Sequence, residues 1–244
     1  MTFPGPQPFS PVRAAPELSA CRGIRWPSST AEASFFHPAG PAGPFPTADR
    51  PGSGLACTSP PLFHAPTVKN IVYFDLETQK SADEVGGWHH ISRMGMSVGV
   101  TYSTARGEYR IYAEADMDEL IRELQRAELI VGFNILRFDY EVLHGYTALD
   151  LRQLPTLDLL LSLQDQLQHR LSLDALLSAT FGLEKTAEGL QALQWYKQGR
   201  LLEIAEYCCY DVKLTRMLHE YGQAHGYVYY HNRLGKKLKI PVRW

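Results

Sequence analysis

The sequence has no long apolar run. Its 244 residues are 45% hydrophobic and 20% charged, and charged or polar residues interrupt the apolar stretches, as around LIVGF at 129–133. A transmembrane helix needs roughly 20 consecutive apolar residues, so we expect no membrane span. The composition is that of a globular protein with room for one sizeable domain or two small ones.

Paired cysteines are also missing. Cys21, Cys57, Cys208 and Cys209 include no C-x-x-C pair and have no histidine at the spacing of a metal site. A disulfide framework is therefore not expected. Because free cysteines suit a reducing compartment, we predict a cytoplasmic protein.

The chain has no excess of basic residues. Its net charge is −2, and residues 67–244 hold 20 basic and 23 acidic residues. The overall charge would not attract nucleic acid, so such a partner would need bound metal ions or a local basic surface. The best basic stretch is 227–244, which contains no acid. It either grips a nucleic-acid backbone or forms an edge hairpin whose lysines discourage strand pairing.

Proline is scarce after residue 66, because 14 of the 16 prolines lie in 1–66, among Ser, Ala and Gly. That segment shows no sustained helical or strand periodicity, so we predict a disordered extension over 1–66 and one domain over 67–244. Proline at this density opposes the amphipathic helix of a transit peptide. We favour a dispensable extension, with translation beginning near Val68, which the intact mass of the natively expressed protein would test.

Periodicity in the rest of the chain predicts an α/β domain. Three strands precede the first long helix, which indicates an antiparallel meander. The stretch 156–163 fits either a strand or a helix. The predicted elements are strands at 70–78, 94–103, 107–113 and 129–133, helices at 116–127, 137–144, 172–182 and 202–221, and a terminal hairpin turning near Gly235.

Two carboxylates interrupt the first strand, IVYFDLETQ at 71–79. Strand alternation places Asp75 and Glu77 side by side on one face. Like charges this close disfavour joint ionisation unless a cation or strong donors neutralise them. A divalent metal ion would do so; the alternative is a strand end whose acids face solvent or pair with arginine.

Two later stretches carry further polar residues. In VGFNILRFDYEVL, Asn134 and Asp139 lie where a strand ends and a helix begins, a common place for ligand sites. The alternative is that Asn134 only caps the helix and Asp139 only favours the helix dipole. In AEYCCYDVKLTRML, Tyr207 and Asp211 are four residues apart and share an otherwise apolar helical face. An aspartate in such a stripe needs a partner, whereas Tyr207 alone would fit a core aromatic.

In order and spacing, the three stretches resemble the three exonuclease motifs of the DEDD superfamily. The resemblance covers about 68–221 and points to the tyrosine-type group, because the histidine type would need His at Glu206. Residues 74–88 and 205–215 also look like the ribonuclease H-related nuclease domain found alone or beside bacterial DEAD/DEAH-box helicases. The matching motifs are D-x-E at Asp75 and Glu77, N-x-x-x-F-D from Asn134 to Asp139, and Y-x-x-x-D from Tyr207 to Asp211.

The resemblance implies a ribonuclease H-like fold, a mixed sheet flanked by helices, and 3′ to 5′ hydrolysis of a single-stranded DNA or RNA end. It also implies two Mg²⁺ or Mn²⁺ ions, which prefer oxygen ligands. By the family pattern Asp75 holds both ions, Glu77 and Asp211 hold the ion that activates water, and Asp139 serves the second site.

By the same resemblance Tyr207 stands near the attacking water. A tyrosine with an ordinary pKa near 10 is a poor base at neutral pH, so we expect Tyr207 to orient the nucleophile. Trp88 either stacks on a terminal base or fills the core beside Met94 and Met96. The predicted substrate contacts are Leu76, Thr78, Trp88, Asn134 and Phe138.

Two other functions remain open. One is a catalytically silent nucleic-acid-binding or helicase-partner module of the same fold, and the other is a small-molecule phosphohydrolase. The intact set of four acids and Tyr207 favours catalysis. DNA and RNA are not distinguished, because that choice depends on contacts to the 2′ position.

Overall fold

The computed structural model describes residues 69–183 and 189–244. The predicted extension over 1–66 lies outside the described residues. Within the described ranges, no helix combines the length and the apolar character that a membrane crossing requires.

A mixed five-stranded sheet forms the centre of the domain. β2 pairs antiparallel with both β1 and β3, β4 runs parallel to β1, and β5 runs parallel to β4. The order β3-β2-β1-β4-β5 confirms the predicted meander and the predicted α/β class, a ribonuclease H-like mixed sheet flanked by helices. The strands are β1 (Ile71–Thr78), β2 (Met96–Ser103), β3 (Glu108–Ala113), β4 (Leu129–Gly132) and β5 (Thr156–Asp158).

Seven α-helices and a hairpin are described around this sheet. The ambiguous stretch 156–163 is both a strand and a helix, since β5 runs directly into the helix that follows it. The helices are α1 (Ala82–Val85), α2 (Met117–Gln125), α3 (Asp139–Leu143), α4 (Leu159–Leu167), α5 (Leu173–Phe181), α6 (Gly189–Lys197) and α7 (Leu201–His225). A 3₁₀ segment spans Trp88–Arg93, and the predicted terminal hairpin consists of β6 (Tyr227–His231) and β7 (Lys237–Pro241).

The two faces of the sheet bury different cores, and β1 contributes to both. Val72 and Phe74 pack with α2 and α3 on one face, whereas Tyr73 packs with α7 and the hairpin on the other. Side chains alternate along a strand, so Asp75 and Glu77 point to the α7 side, as predicted from spacing. The helix that carries Asp211 therefore covers the face on which the two strand acids stand.

Parallel pairing brings the carboxyl ends of β1, β4 and β5 to one edge of the sheet. Gly132 ends β4, and a Cβ there would lie 2.3 Å from an Ile135 methyl group and 2.9 Å from the Phe74 carbonyl oxygen. Only glycine lets the chain leave β4 this close to β1. The segment from Asn134 to Asp139 is thereby placed beside the acids of β1.

Candidate active site

Three carboxylates from two separate elements meet at this edge. Asp75 and Glu77 come from β1 and Asp211 comes from α7, and each offers one oxygen within 4.8 Å of the others. Asp211 is buried and the two strand acids are half-buried. All three are hard oxygen donors, so the donor set fits Mg²⁺ or Mn²⁺.

The surroundings of Asp75 disfavour its ionised form. Burial, followed by the negative charges of Asp139, Asp211 and Glu77, raises the pKa of Asp75 well above its ordinary value. The Cys208 thiol opposes this shift weakly, since it lies 3.5 Å from Asp75 Oδ2 as a donor. Holding several negative charges at this place would require a neutralising cation. The residues present therefore fit a divalent metal site.

Asp139 lies beside this cluster, although it is outside the group of three. It is only 2% exposed, and its Oδ1 accepts a hydrogen bond from the Leu76 backbone N–H at 3.1 Å. Burial, together with the charge of Asp158, raises the pKa of Asp139 to about 8 against the effect of its backbone hydrogen bonds. Asp139 is thus fixed to the strand between Asp75 and Glu77.

Asp158 is a residue of this edge that the sequence analysis missed. Its Oδ1 accepts a hydrogen bond from the backbone N–H of Asn134 at 2.9 Å, and its Oδ2 accepts one from the backbone N–H of Leu136 at 3.1 Å. Oδ1 also accepts from Leu161 N at 3.2 Å, which caps α4. An aspartate directly before the apolar run LLLSL is an N-cap signal that could have revealed it.

Asn134 is not the cap of α3, because Phe138 occupies that position. Asn134 instead has φ 70°, a left-handed conformation that asparagine tolerates better than most residues. Its side-chain oxygen accepts a hydrogen bond from Arg170 Nη2 at 2.9 Å. Arg170 is exposed, so this contact brings a cation to the second motif that no sequence spacing indicated.

Tyr207 lies on the same face of α7 as Asp211, as the spacing of four residues predicted. Its buried ring makes an edge contact with Trp195, with ring centroids 6.2 Å apart. Trp195 belongs to α6, which the sequence analysis did not predict. The spacing of Ala192, Trp195 and Tyr196 is a helical signal that could have located this helix.

The predicted substrate contacts differ in their exposure to solvent. Trp88 is 67% exposed, and its ring lies 6.4 Å from that of Phe138, so Trp88 is not the core residue of the alternative interpretation. Leu76 and Thr78 are buried and offer little side-chain surface. Trp88 therefore offers an exposed aromatic ring at this edge, beside the half-buried ring of Phe138.

No protein-family model matches this chain, and no curated protein matches it. Solved structures with a similar chain include the crystal structure of Trypanosoma brucei RNase D, with a TM-score of 0.46 and 18% sequence identity. The similarity covers 62% of this chain and 56% of that one. This chain thus matches just over half the length of that protein.

Proposed function

We propose that this protein is a metal-dependent 3′ to 5′ exonuclease of the tyrosine-type DEDD group, acting on single-stranded nucleic acid. The observation that carries the proposal is the meeting of three carboxylate oxygens, from Asp75, Glu77 and Asp211, within 4.8 Å. Asp139 joins them through its bond to the Leu76 backbone. One strand, the start of one helix and the middle of a long helix thus contribute to one acidic centre.

Asp75, Glu77 and Asp211 would hold one Mg²⁺ or Mn²⁺ ion, and Asp75 with Asp139 would serve a second. Two such ions, when bound, supply a nucleophile at neutral pH and stabilise charge on the leaving oxygen. The burial of Asp211 and Asp139 keeps these carboxylates in place. Because hydrogen bonds from the backbone and from Cys208 orient the acids, they need little rearrangement on binding.

Tyr207 and the aromatic pair of Trp88 and Phe138 would position the reactants. The edge contact with Trp195 fixes the ring of Tyr207 on the face of α7 that carries Asp211. We assign its hydroxyl to orienting the attacking water. Trp88 and Phe138 offer aromatic surface on which a terminal base could stack, an interaction that tolerates any base.

Removing the Tyr207 hydroxyl is expected to slow hydrolysis by about ten- to a hundredfold, the usual cost of losing an orienting partner at a metal site. Phenylalanine keeps the ring contact with Trp195, so the melting temperature should change little. Single-turnover rates on a labelled strand measure the effect. Tyr210→Phe is the matched control, since Tyr210 lies on the same helix and is 38% exposed. A Tyr207→Phe rate equal to that of wild type would remove Tyr207 from the site.

A linear and a circular single strand of one sequence, each as DNA and as RNA, test the proposed reaction. Release of mononucleotides from the linear strand alone is the expected result, and the preferred sugar identifies the substrate class. Cleavage of the circle would contradict an exonuclease. Binding without cleavage under either metal would identify a silent binding module, and hydrolysis of free nucleotides alone would identify a small-molecule phosphohydrolase.

We also propose a DEAD- or DEAH-box helicase as protein partner. The support is the resemblance of residues 74–88 and 205–215 to nuclease domains that occur beside such helicases. Co-migration of the purified chain with a helicase from the same source on size-exclusion chromatography is the expected result. Separate elution at micromolar concentrations would contradict this partnership.

A further inference from the structure

The terminal hairpin presents one outward face of alternating aromatic and basic residues. Val228 and Ile240 are buried in the core, so the residues that alternate with them along β6 and β7 face outward. Tyr229 pairs with Lys239 and His231 pairs with Lys237 across the hairpin. We call this surface the basic hairpin face, and it comprises Tyr227, Tyr229, His231, Lys237 and Lys239.

Tyrosine rings hold both lysines of the basic hairpin face. Lys239 Nζ lies 3.7 Å from the ring centroid of Tyr227, and Lys237 Nζ lies 4.3 Å from that of Tyr229. The two rings contact each other edge to face at 5.2 Å, and Tyr221 of α7 packs against Tyr227 at 6.1 Å. The ammonium groups are thus ordered before any ligand binds. An ordered lysine loses less side-chain freedom when it binds an anion.

The sequence around the basic hairpin face contains no acidic side chain. Residues 221–244 contain five Lys or Arg residues and no Asp or Glu. Within residues 69–183 and 189–244, Lys237 and Lys239 form no ion pair with a carboxylate, unlike Arg216, which pairs with Glu220 at 2.7 Å. The positive charge of Lys237 and Lys239 is therefore not neutralised by a carboxylate of the described residues. The basic face lies on a chain whose net charge is −2, so it is a local feature.

We propose that the basic hairpin face binds the phosphate backbone of the substrate strand, away from the end that is hydrolysed. The hairpin follows α7 directly, and the helix rises about 21 Å over the 14 steps from Asp211 to His225. A nucleic-acid strand whose 3′ end lies at Asp211 and which also reaches the basic hairpin face would therefore span several nucleotides between the two. The inference rests on the proposed function for the identity of the strand. Lysine is among the side chains that contact nucleic-acid phosphates, and two ordered lysines on one face can meet successive phosphates of a strand.

Binding measured without catalysis tests this surface. The whole chain in EDTA is titrated with a 5′-labelled single strand of about 30 nucleotides, longer than common single-strand sites. Fluorescence anisotropy at several salt concentrations gives the slope of log K against log salt. Each phosphate contact on a single strand contributes roughly 0.7 to that slope, so Lys237→Ala with Lys239→Ala is expected to reduce its magnitude by about 1.4. Replacing both lysines with arginine should preserve the slope.

Arg122→Ala with Arg126→Ala is the matched control. These exposed arginines lie on or next to α2, whose Leu120 and Leu124 pack on the opposite face of the sheet. The same charge is removed there, so a general electrostatic effect would appear equally in both double variants. A wild-type slope for the lysine variant, or an equal loss in both variants, would overturn the proposal.

Measured hydrolysis rates distinguish a failure of the basic hairpin face from a failure of the proposed catalytic function. The preference for the long strand over a dinucleotide, as a ratio of kcat/KM values, is expected to fall several-fold in the lysine variant. If wild type binds with the expected slope loss in the variant but hydrolyses nothing, the basic hairpin face stands and the catalytic proposal fails. If hydrolysis proceeds and the slopes are equal, the basic hairpin face alone is wrong.

Discussion

Asp75→Asn is expected to reduce hydrolysis more than a hundredfold, because loss of a residue that only supports a metal ligand already costs about ten- to a hundredfold. The same substitution should raise the melting temperature in EDTA. Burial and the charges of Asp139, Asp211 and Glu77 make an ionised Asp75 unfavourable, and a neutral amide of the same shape relieves this. A more stable protein with almost no activity is the signature of a residue kept for chemistry.

The difference in stability between the Asp75→Asn variant and wild type should grow as the pH rises. Because the pKa of Asp75 is raised in the folded state, the folded protein holds this proton more tightly than the unfolded chain. The stability that this proton gives to the folded state is fully present below the pKa of the unfolded chain, about 3.9. It is lost as the pH rises through the pKa of Asp75 in the folded state. Asparagine cannot lose a proton, so the melting temperature of the variant relative to wild type should increase from pH 5 to pH 9.

Asp165→Asn is the matched control for both readouts. Asp165 is an exposed residue of α4. Its substitution should leave the rate and the pH dependence of the melting temperature unchanged. A destabilised Asp75→Asn protein in EDTA would contradict the electrostatic interpretation, and full activity would remove Asp75 from the proposed site.

Metal binding is the second large effect. At a hundred times the dissociation constant, a ligand that binds only the folded state stabilises it by about 2.7 kcal/mol. Each kcal/mol raises the melting temperature of a domain this size by roughly 2–4 °C. Mg²⁺ or Mn²⁺ should therefore raise the melting temperature of wild type by about 5–10 °C. Hydrolysis should stop in EDTA and return when either ion is added.

Asp75→Asn and Asp211→Asn should lose most of this thermal shift. The comparison is made at constant ionic strength, with NaCl replacing the divalent salt. Calorimetric titration then counts the ions bound by wild type. An equal shift in wild type and both variants would place the metal elsewhere on the protein.

Local patterns were enough to predict the parts of the site that depend on one element. The alternation of β1 placed Asp75 and Glu77 on one face, and the helical spacing in α7 placed Tyr207 with Asp211. Both rules depend only on backbone geometry over a few residues. The meeting of β1 with α7 was predicted only through the resemblance of the motifs, because no spacing relates residues so far apart in the chain.

The missed residues act through long-range contacts. Asp158 holds the backbone of Asn134, which is 24 residues earlier, and Arg170 reaches the side chain of Asn134 from 36 residues away. The Cys208 thiol faces the Asp75 carboxylate, a contact that no local spacing indicates. The sequence allows Asn134 as a helix cap, but its φ of 70° places it in a turn, and the helix begins only at Asp139. Such contacts depend on the assembled sheet edge.

The proposed reaction is hydrolysis of a nucleic-acid strand from its 3′ end, at metal ions that the carboxylates of Asp75, Glu77, Asp139 and Asp211 would hold. Digestion of matched 5′-labelled DNA and RNA single strands by the whole chain, with Mg²⁺ or Mn²⁺ against EDTA, tests it most directly. We expect a metal-dependent ladder that shortens from the 3′ end and is absent with Asp75→Asn. A folded wild-type protein that leaves both strands intact under both metals, or an Asp75→Asn protein that produces the same ladder, would contradict it.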